Sequence, residues 1–229
     1  MAKTRLAKLL LVMILMLGLA CVVIGLWASA NRRKAKHLLA EIQDPRWTSA
    51  TFEDARNLSA RYGGHAVGHG LDAPLTPEDY PTNFGCNKSR CRFSIAIPNT
   101  PLFQLHLAPR TELWTSLKVE NDRVTSVTVG LMSQKKEKGE DFDLAVDVTS
   151  EFCYPCYGGQ QPYSTQFGWD HRSNRPFGLL VRLTPASTPA QRHSAYDLNL
   201  ACLTKFGGCK DARSFLPELW DRTEVEQLK

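Results

Sequence analysis

The chain of 229 residues contains 28 basic and 23 acidic residues, and 43% of its residues are hydrophobic. Three of the basic residues, Lys3, Arg5 and Lys8, precede the first apolar segment, and residues 1–30 contain no acid, so the rest of the chain carries 25 basic against 23 acidic residues. This near balance excludes the electrostatic footprint of a nucleic-acid-binding protein. The chain beyond residue 30 is long enough for one domain with a sizeable core.

A single apolar segment dominates the N-terminal region. Residues 9–27 contain no charged side chain, and as a helix they would extend about 28 Å, close to the hydrocarbon thickness of about 30 Å. We therefore expect residues 1–8 to be a basic tail and residues 9–30 to be one transmembrane helix. The lipid bilayer is accordingly an expected partner.

The same segment has a second interpretation, a cleaved signal peptide. Residues 28–30, Ala-Ser-Ala, form a small-residue exit typical of a cleavage site. However, the apolar run is longer than a typical signal core, and Trp27 followed by a basic cluster at residues 32–36 is typical of a helix retained at an interface. We expect retention, as a signal anchor. The basic charge flanking the helix is equal on its two sides, so it does not assign the orientation.

Six cysteines follow the apolar segment in three close pairs. An even number in local pairs favours structural disulfides in an oxidising compartment, so we expect the domain to lie outside the cytoplasm. Six cysteines permit fifteen connectivities, of which pairing between neighbours is the simplest. The candidate pairs are Cys86 with Cys91, Cys153 with Cys156, and Cys202 with Cys209.

Two other uses of the cysteines remain open. Four thiolates, those of Cys86, Cys91, Cys153 and Cys156, could hold zinc. Cys153 and Cys156 also have the spacing of a thiol–disulfide motif, although the Gly- and Pro-containing residues after them would not start the helix that activates such a thiol. A membrane-tethered thiol–disulfide or zinc-binding protein is therefore the alternative function. The favoured interpretation includes no cofactor and no metal.

Helical signals open the soluble domain, which we expect to cover residues 51–229. Residues 31–50 are expected to be a juxtamembrane stalk helix and a linker, because apolar residues recur at helical spacing ahead of a proline. A second helix is expected to begin at Thr51, where Asp54 completes a capping box, and to end at Gly63.

Strand signals dominate the centre of the chain. Residues 120–123 have the composition of a turn that joins two strands into a hairpin. Residues 65–81 and the charged stretch 134–141 are expected to be solvated loops. Alternating apolar residues predict six strands, around residues 93–97, 103–107, 113–119, 127–131, 142–148 and 178–183.

Two helices are expected to end the chain. Thr188, Pro189 and Gln191 form an N-terminal capping pattern, and apolar residues at helical spacing extend this helix to Gly207. A short last helix is expected over residues 214–220. The expected fold class is α+β, with an antiparallel sheet of about six strands and helices packed on one face.

The longest segment without a regular pattern is residues 151–177, and such a loop in a compact domain is often functional. Its aromatic residues and arginine are typical of protein contacts, so we expect it to bind another protein or an envelope component. The alternative is a disulfide-stapled loop whose aromatic side chains pack on the sheet. The sequence contains neither G-x-S-x-G nor H-E-x-x-H, which favours binding over catalysis. The residues expected to make the contact are Tyr154, Tyr157, Trp169, Asp170, His171 and Arg172.

Three short motifs resemble those of uncharacterised bacterial single-pass membrane proteins. They are residues 51–55 (TFEDA), Cys86-x4-Cys91-x-Phe93, and residues 107–111 (LAPRT). The resemblance implies the same single-pass layout, and it implies no activity, cofactor or site residue.

Overall fold

The computed structural model of the chain describes residues 2–67, 86–137, 140–152, 163–170 and 175–227. These residues form a long N-terminal helix, a seven-stranded sheet and several shorter helices, which confirms the α+β class. The helices are α1 (Ala2–Ile42), α2 (Phe52–Tyr62), α3 (Thr100–Gln104), α4 (Pro189–Ala195) and α5 (Pro217–Gln227). The strands are β1 (His65–Val67), β2 (Arg90–Pro98), β3 (Thr111–Glu120), β4 (Arg123–Glu137), β5 (Glu140–Glu151), β6 (Tyr163–Asp170) and β7 (Arg175–Leu183).

The strands form one sheet in the order β1-β2-β3-β4-β5-β7-β6. Neighbouring strands are antiparallel except β5 and β7, which are parallel. The predicted hairpin is confirmed by β3 and β4, since Glu120 pairs with Arg123. Asn121 and Asp122 in its turn have φ angles of 52° and 62°, the left-handed geometry that matches the twist of the two strands.

Helix α1 has two parts with different surroundings. The first part is apolar and exposed. Because of it, Leu10–Ile42 is the single helical segment in the described ranges that is long and apolar enough to cross a membrane. Its last turns instead enter the hydrophobic core, where Leu38 is fully buried. Residues 31–42, which the sequence places in a stalk, thus pack as part of the domain. The α1 side chains in the core are Ala35, Leu38, Leu39 and Ile42.

Helix α2 begins and ends where the sequence predicts. Thr51 and Asp54 form the capping box, in which the Asp54 carboxylate accepts from the Thr51 backbone N–H at 2.8 Å. Gly63 ends the helix with a φ of 74°, a conformation that glycine adopts without steric cost. Tyr62 Oη donates to Glu41 Oε1 at 2.8 Å, so the end of α2 is tied to the end of α1. Burial and this bond raise the pKa of Tyr62 to about 12.

The sheet has one end near the exposed apolar part of α1 and one end far from it. Asn31 Nδ2 donates to the Pro98 carbonyl at 3.1 Å, so the end of β2 lies beside α1 only one turn after Trp27. We call this the proximal end of the domain. The distal end carries the turn at Asn121, and the ten residues of β3 separate the two by about 30 Å.

A folded corner joins β2 to β3 at the proximal end, and the strand predicted over residues 103–107 is wrong. Asn99 is buried and closes this corner. Its Nδ2 donates to the Pro109 carbonyl at 2.9 Å and its Oδ1 accepts from the Thr111 N–H at 2.9 Å. The corner contains α3 and His106 with a φ of 55°, so the alternation of apolar residues here reflects exposure in a turn.

Three stretches predicted as loops contain paired strands. Within residues 65–81, His65–Val67 form β1 and pair with β2. The charged stretch 134–141 continues the ladder between β4 and β5 as far as Glu137, which pairs with Glu140. Strand β6 occupies part of residues 151–177 and pairs with β7 along its length. The polar and charged composition of residues 134–141 and 163–170 does not reveal these strands, although their partners β5 and β7 follow directly in the chain.

The C-terminal region packs on the core face of the sheet, but its first helix, α4, ends earlier than predicted. Thr188 and Gln191 form the predicted capping box of α4. That helix stops after two turns, and Asn199 then begins a separate 3₁₀ turn by accepting from the Ala201 N–H at 3.2 Å. The last helix begins at Pro217, later than predicted, because a further 3₁₀ turn precedes it.

Candidate functional site

The structure attaches the two groups of predicted contact residues to opposite ends of β6. Tyr154 and Tyr157 lie outside the described residues, between Phe152 and Tyr163 at the distal end. His171 and Arg172 also lie outside them, between Asp170 and Arg175 at the proximal end. The eight residues of β6 separate these ends by about 23 Å. Trp169 and Asp170 belong to β6 itself and pair with Pro176 and Arg175.

Two of the three predicted disulfides are present. Cys86 bonds to Cys91 and Cys202 bonds to Cys209, with Cα–Cα distances of 4.7 and 5.3 Å. Cys86 and Cys91 of the four-cysteine zinc set are therefore bonded to each other and are not available as thiolate ligands. Cys153 and Cys156 lie outside the described residues, so their role stays a prediction. Within the ranges that the structure describes, no group of three His, Cys, Asp or Glu residues is placed to hold a metal ion.

The sheet has two unlike faces because side chains alternate along each strand. One face carries the buried residues of the core, and the other carries side chains that are half-buried or exposed. We call this second surface the open face. At its centre Trp114 of β3, Gly130 of β4 and Asp147 of β5 are direct cross-strand neighbours.

Gly130 allows the two side chains beside it to converge. A β-carbon added there would collide with the Trp114 indole Nε1 and the Asp147 carboxylate Oδ1. Glycine inside a strand commonly marks such a close approach. The indole and the carboxylate therefore occupy the space above Gly130 and lie side by side on the open face.

Asp147 is the most electrostatically unusual group on this face. Burial raises the pKa of its carboxyl group to about 6, while the adjacent Trp114 indole N–H acts in the opposite direction. Its Oδ1 atom is buried and has no hydrogen-bond partner among the described residues. Buried polar atoms are usually paired, so this oxygen retains an unused acceptor position, although it is not exposed to solvent in the structure.

Hydroxyl and apolar groups lie around this Trp114–Asp147 pair. The Thr128 and Thr149 hydroxyls lie 3.0 Å apart, one row towards the distal end. Leu180 of β7 lies opposite Asp147 and its side chain is exposed. In the register of the described strands neither histidine nor cysteine adjoins Asp147, so these groups are suited to contact and hydrogen bonding.

Sequence reasoning did not single out Trp114 or Gly130. The available signal was an isolated glycine within a strand pattern, which indicates a bulge or a close approach. Identifying its neighbours required the register of two strand pairs, which only the folded sheet provides.

No family model matches the chain, and neither a curated protein nor a solved structure matches it.

Proposed function

We propose that this chain is a single-pass membrane protein whose disulfide-stabilised domain lies outside the cytoplasm and binds another protein or an envelope component. The exposed apolar part of α1 supports the membrane anchor. The two disulfides support the location, because disulfides persist in oxidising compartments and are rare in the cytoplasm.

The open face is the binding surface in this proposal, and the Trp114–Gly130–Asp147 row is the observation that carries it. Trp114 offers an aromatic surface of the kind enriched at contacts. The Asp147 carboxyl group beside it is a hydrogen-bond acceptor whose buried Oδ1 becomes reachable when the Trp114 side chain moves, and the partner therefore presents an amide, hydroxyl or amine donor beside an apolar group. Residues 153–162 would add contacts from the distal end, where Phe152 and Tyr163 lie.

The location is tested with a single accessible cysteine. In a Cys21→Ser background, Arg123→Cys places a thiol on an exposed residue at the distal end. In sealed vesicles whose cytoplasmic face is outermost, a membrane-impermeant maleimide should label this thiol only after detergent lysis. Labelling of intact vesicles would mean that the domain lies in the cytoplasm.

The binding surface is tested with a photo-crosslinker in native membranes. At Leu180, on the open face, it should give a discrete crosslinked product, and Trp114→Ala should reduce the yield several-fold. The matched control places the crosslinker at Arg56, an exposed residue of α2 on the other side of the domain. Equal products from both positions, or a product that does not depend on Trp114, would contradict the proposal.

A further inference from the structure

Exposed apolar side chains outside the membrane span are concentrated at one place. Of the four large apolar residues that are exposed in the described chain beyond Trp27, three lie at the proximal end. Phe103 and Leu105 belong to the corner between β2 and β3, and Phe206 follows the 3₁₀ turn Leu200–Leu203. Their exposed fractions are 45%, 51% and 65%. We call these three residues the proximal patch.

The proximal patch is one surface although its residues are distant in sequence. The Gly207 N–H donates to the Leu107 carbonyl at 2.8 Å, which places the turn that contains Phe206 against the corner. Gly208 also lies against the Pro109 ring, since a β-carbon added there would meet that ring at 2.8 Å.

The domain reaches down to the level where α1 leaves the membrane. Ala28 is buried and Ile24 is half-buried, whereas Leu26 and Trp27 are exposed. One side of α1 is therefore covered at the height of Trp27. Asn31, which binds the corner through Pro98, is only about 6 Å further along the helix. The interfacial layer of a bilayer is about 5–8 Å deep on each side, so the corner lies within it.

Arg32 lies at the same height, and Lys36 lies about 6 Å further along α1. Arg32 and Lys36 line a groove of about 520 Å³ between α1 and the C-terminal helices. Arg32 Nε is buried without a hydrogen-bond partner in the described part of the chain. Lys205 is exposed beside Phe206. Apolar side chains flanked by Lys and Arg are the composition that binds to a membrane interface.

We propose that the proximal patch inserts into the headgroup region of the same bilayer that α1 crosses, so that the domain lies on the membrane as well as being anchored in it. This inference rests on the proposed membrane anchoring and extends it. The bilayer is the occupant that fits, because the corner that carries Phe103 and Leu105 packs against α1 just beyond its exposed apolar part. The three side chains would otherwise remain in water next to a lipid surface.

The test uses the full chain in vesicles of phosphatidylcholine and phosphatidylglycerol. In a Cys21→Ser background, an environment-sensitive fluorophore is attached to a single introduced cysteine. Phe206→Cys and Leu105→Cys report on the proximal patch, and Trp27→Cys reports on the anchor. Leu180→Cys is the matched control, because Leu180 is an equally exposed apolar residue away from the patch. Nitroxide-labelled lipids should quench the fluorophore at 206 and 105 several-fold more than at 180.

The outcomes separate this proposal from the anchoring on which it rests. If the label at 27 is quenched while the label at 206 behaves like that at 180, α1 is anchored and the patch does not touch lipid, which overturns the inference alone. If the label at 206 is shielded from an aqueous quencher but not reached by the lipid quencher, a second copy of the chain covers the patch, and the inference is again wrong. Absence of lipid quenching at 27 would contradict the anchoring and the inference together.

Discussion

At the scale of single residues, Asp147 shows how a sheet creates an unusual group from ordinary parts. Its carboxyl points away from the core, as alternation along β5 predicts, yet the neighbouring indole and Gly130 leave it little contact with water. Burial without a cation disfavours the ionised form. The raised pKa is thus a property of three strands together.

Replacing Asp147 with Asn should change the pH dependence of stability. The pKa is about 6 in the folded protein and 3.8 in the reference state, so ionisation destabilises the fold progressively between about pH 4 and pH 6. The variant should match the wild type below about pH 4 and be more stable above about pH 6, by at most about 3 kcal/mol. Urea unfolding of the full chain in detergent, followed across this pH range, measures the difference.

Asp54→Asn is the matched control, with the opposite sign. Its capping bonds to Thr51 lower the pKa of Asp54, so its contribution to stability is present above the reference pKa and is lost as the pH falls through the lower folded value. A stability difference for Asp147→Asn that is constant with pH would contradict the environment described for this carboxyl.

At the scale of elements, the last turns of α1 are the least expected feature, since the same helix that crosses the membrane also supplies core side chains. In the sequence, Leu38, Leu39 and Ile42 recur at helical spacing and form one apolar stripe. The stripe alone does not say whether it faces a domain or a neighbouring helix.

Leu38→Ala should destabilise the domain by about 2–5 kcal/mol, because it removes a fully buried side chain and leaves a cavity. Leu26→Ala is the control, since Leu26 lies on the same helix but is 63% exposed. Denaturant unfolding followed by tryptophan fluorescence should show a shift for the first variant and almost none for the second. Equal behaviour would mean that residues 31–42 stand apart from the core.

Elements governed by local chemistry were predictable, and those governed by distant contacts were not. The capping boxes at Thr51 and Thr188 and the turn at Asn121 follow from neighbouring residues, and all three are present. The corner that begins at Asn99 depends on bonds to residues ten and twelve positions away. The site was harder still, because Trp114 and Asp147 meet only through the register of β3, β4 and β5.

At the scale of the whole molecule, the covalent state of the chain distinguishes the proposed functions. An anchored binding domain outside the cytoplasm should retain its N-terminal helix, and its cysteines should be bonded in disulfides. Free thiols at Cys153 and Cys156 would belong to the thiol–disulfide or zinc alternative.

The intact mass of the protein purified from membranes should include residues 1–30. Without reductant, alkylation under denaturing conditions should leave Cys86, Cys91, Cys202 and Cys209 unmodified, because both pairs are bonded. After reduction all four should react. A mass that begins at Asn31 would show cleavage after Ala30, and four reactive thiols before reduction would place the domain in a reducing compartment.

The direct passage of α1 into the core determines how far the domain can search for a partner. A flexible linker lets a tethered domain explore a volume that grows with linker length, but the bond from Asn31 to Pro98 leaves no linker here. The domain therefore turns only as the helix turns about its own axis, and its height above the membrane is fixed. In the proposed function, a partner would therefore present its contact site within roughly one domain thickness of the bilayer, where lateral diffusion and rotation of the helix bring the two together.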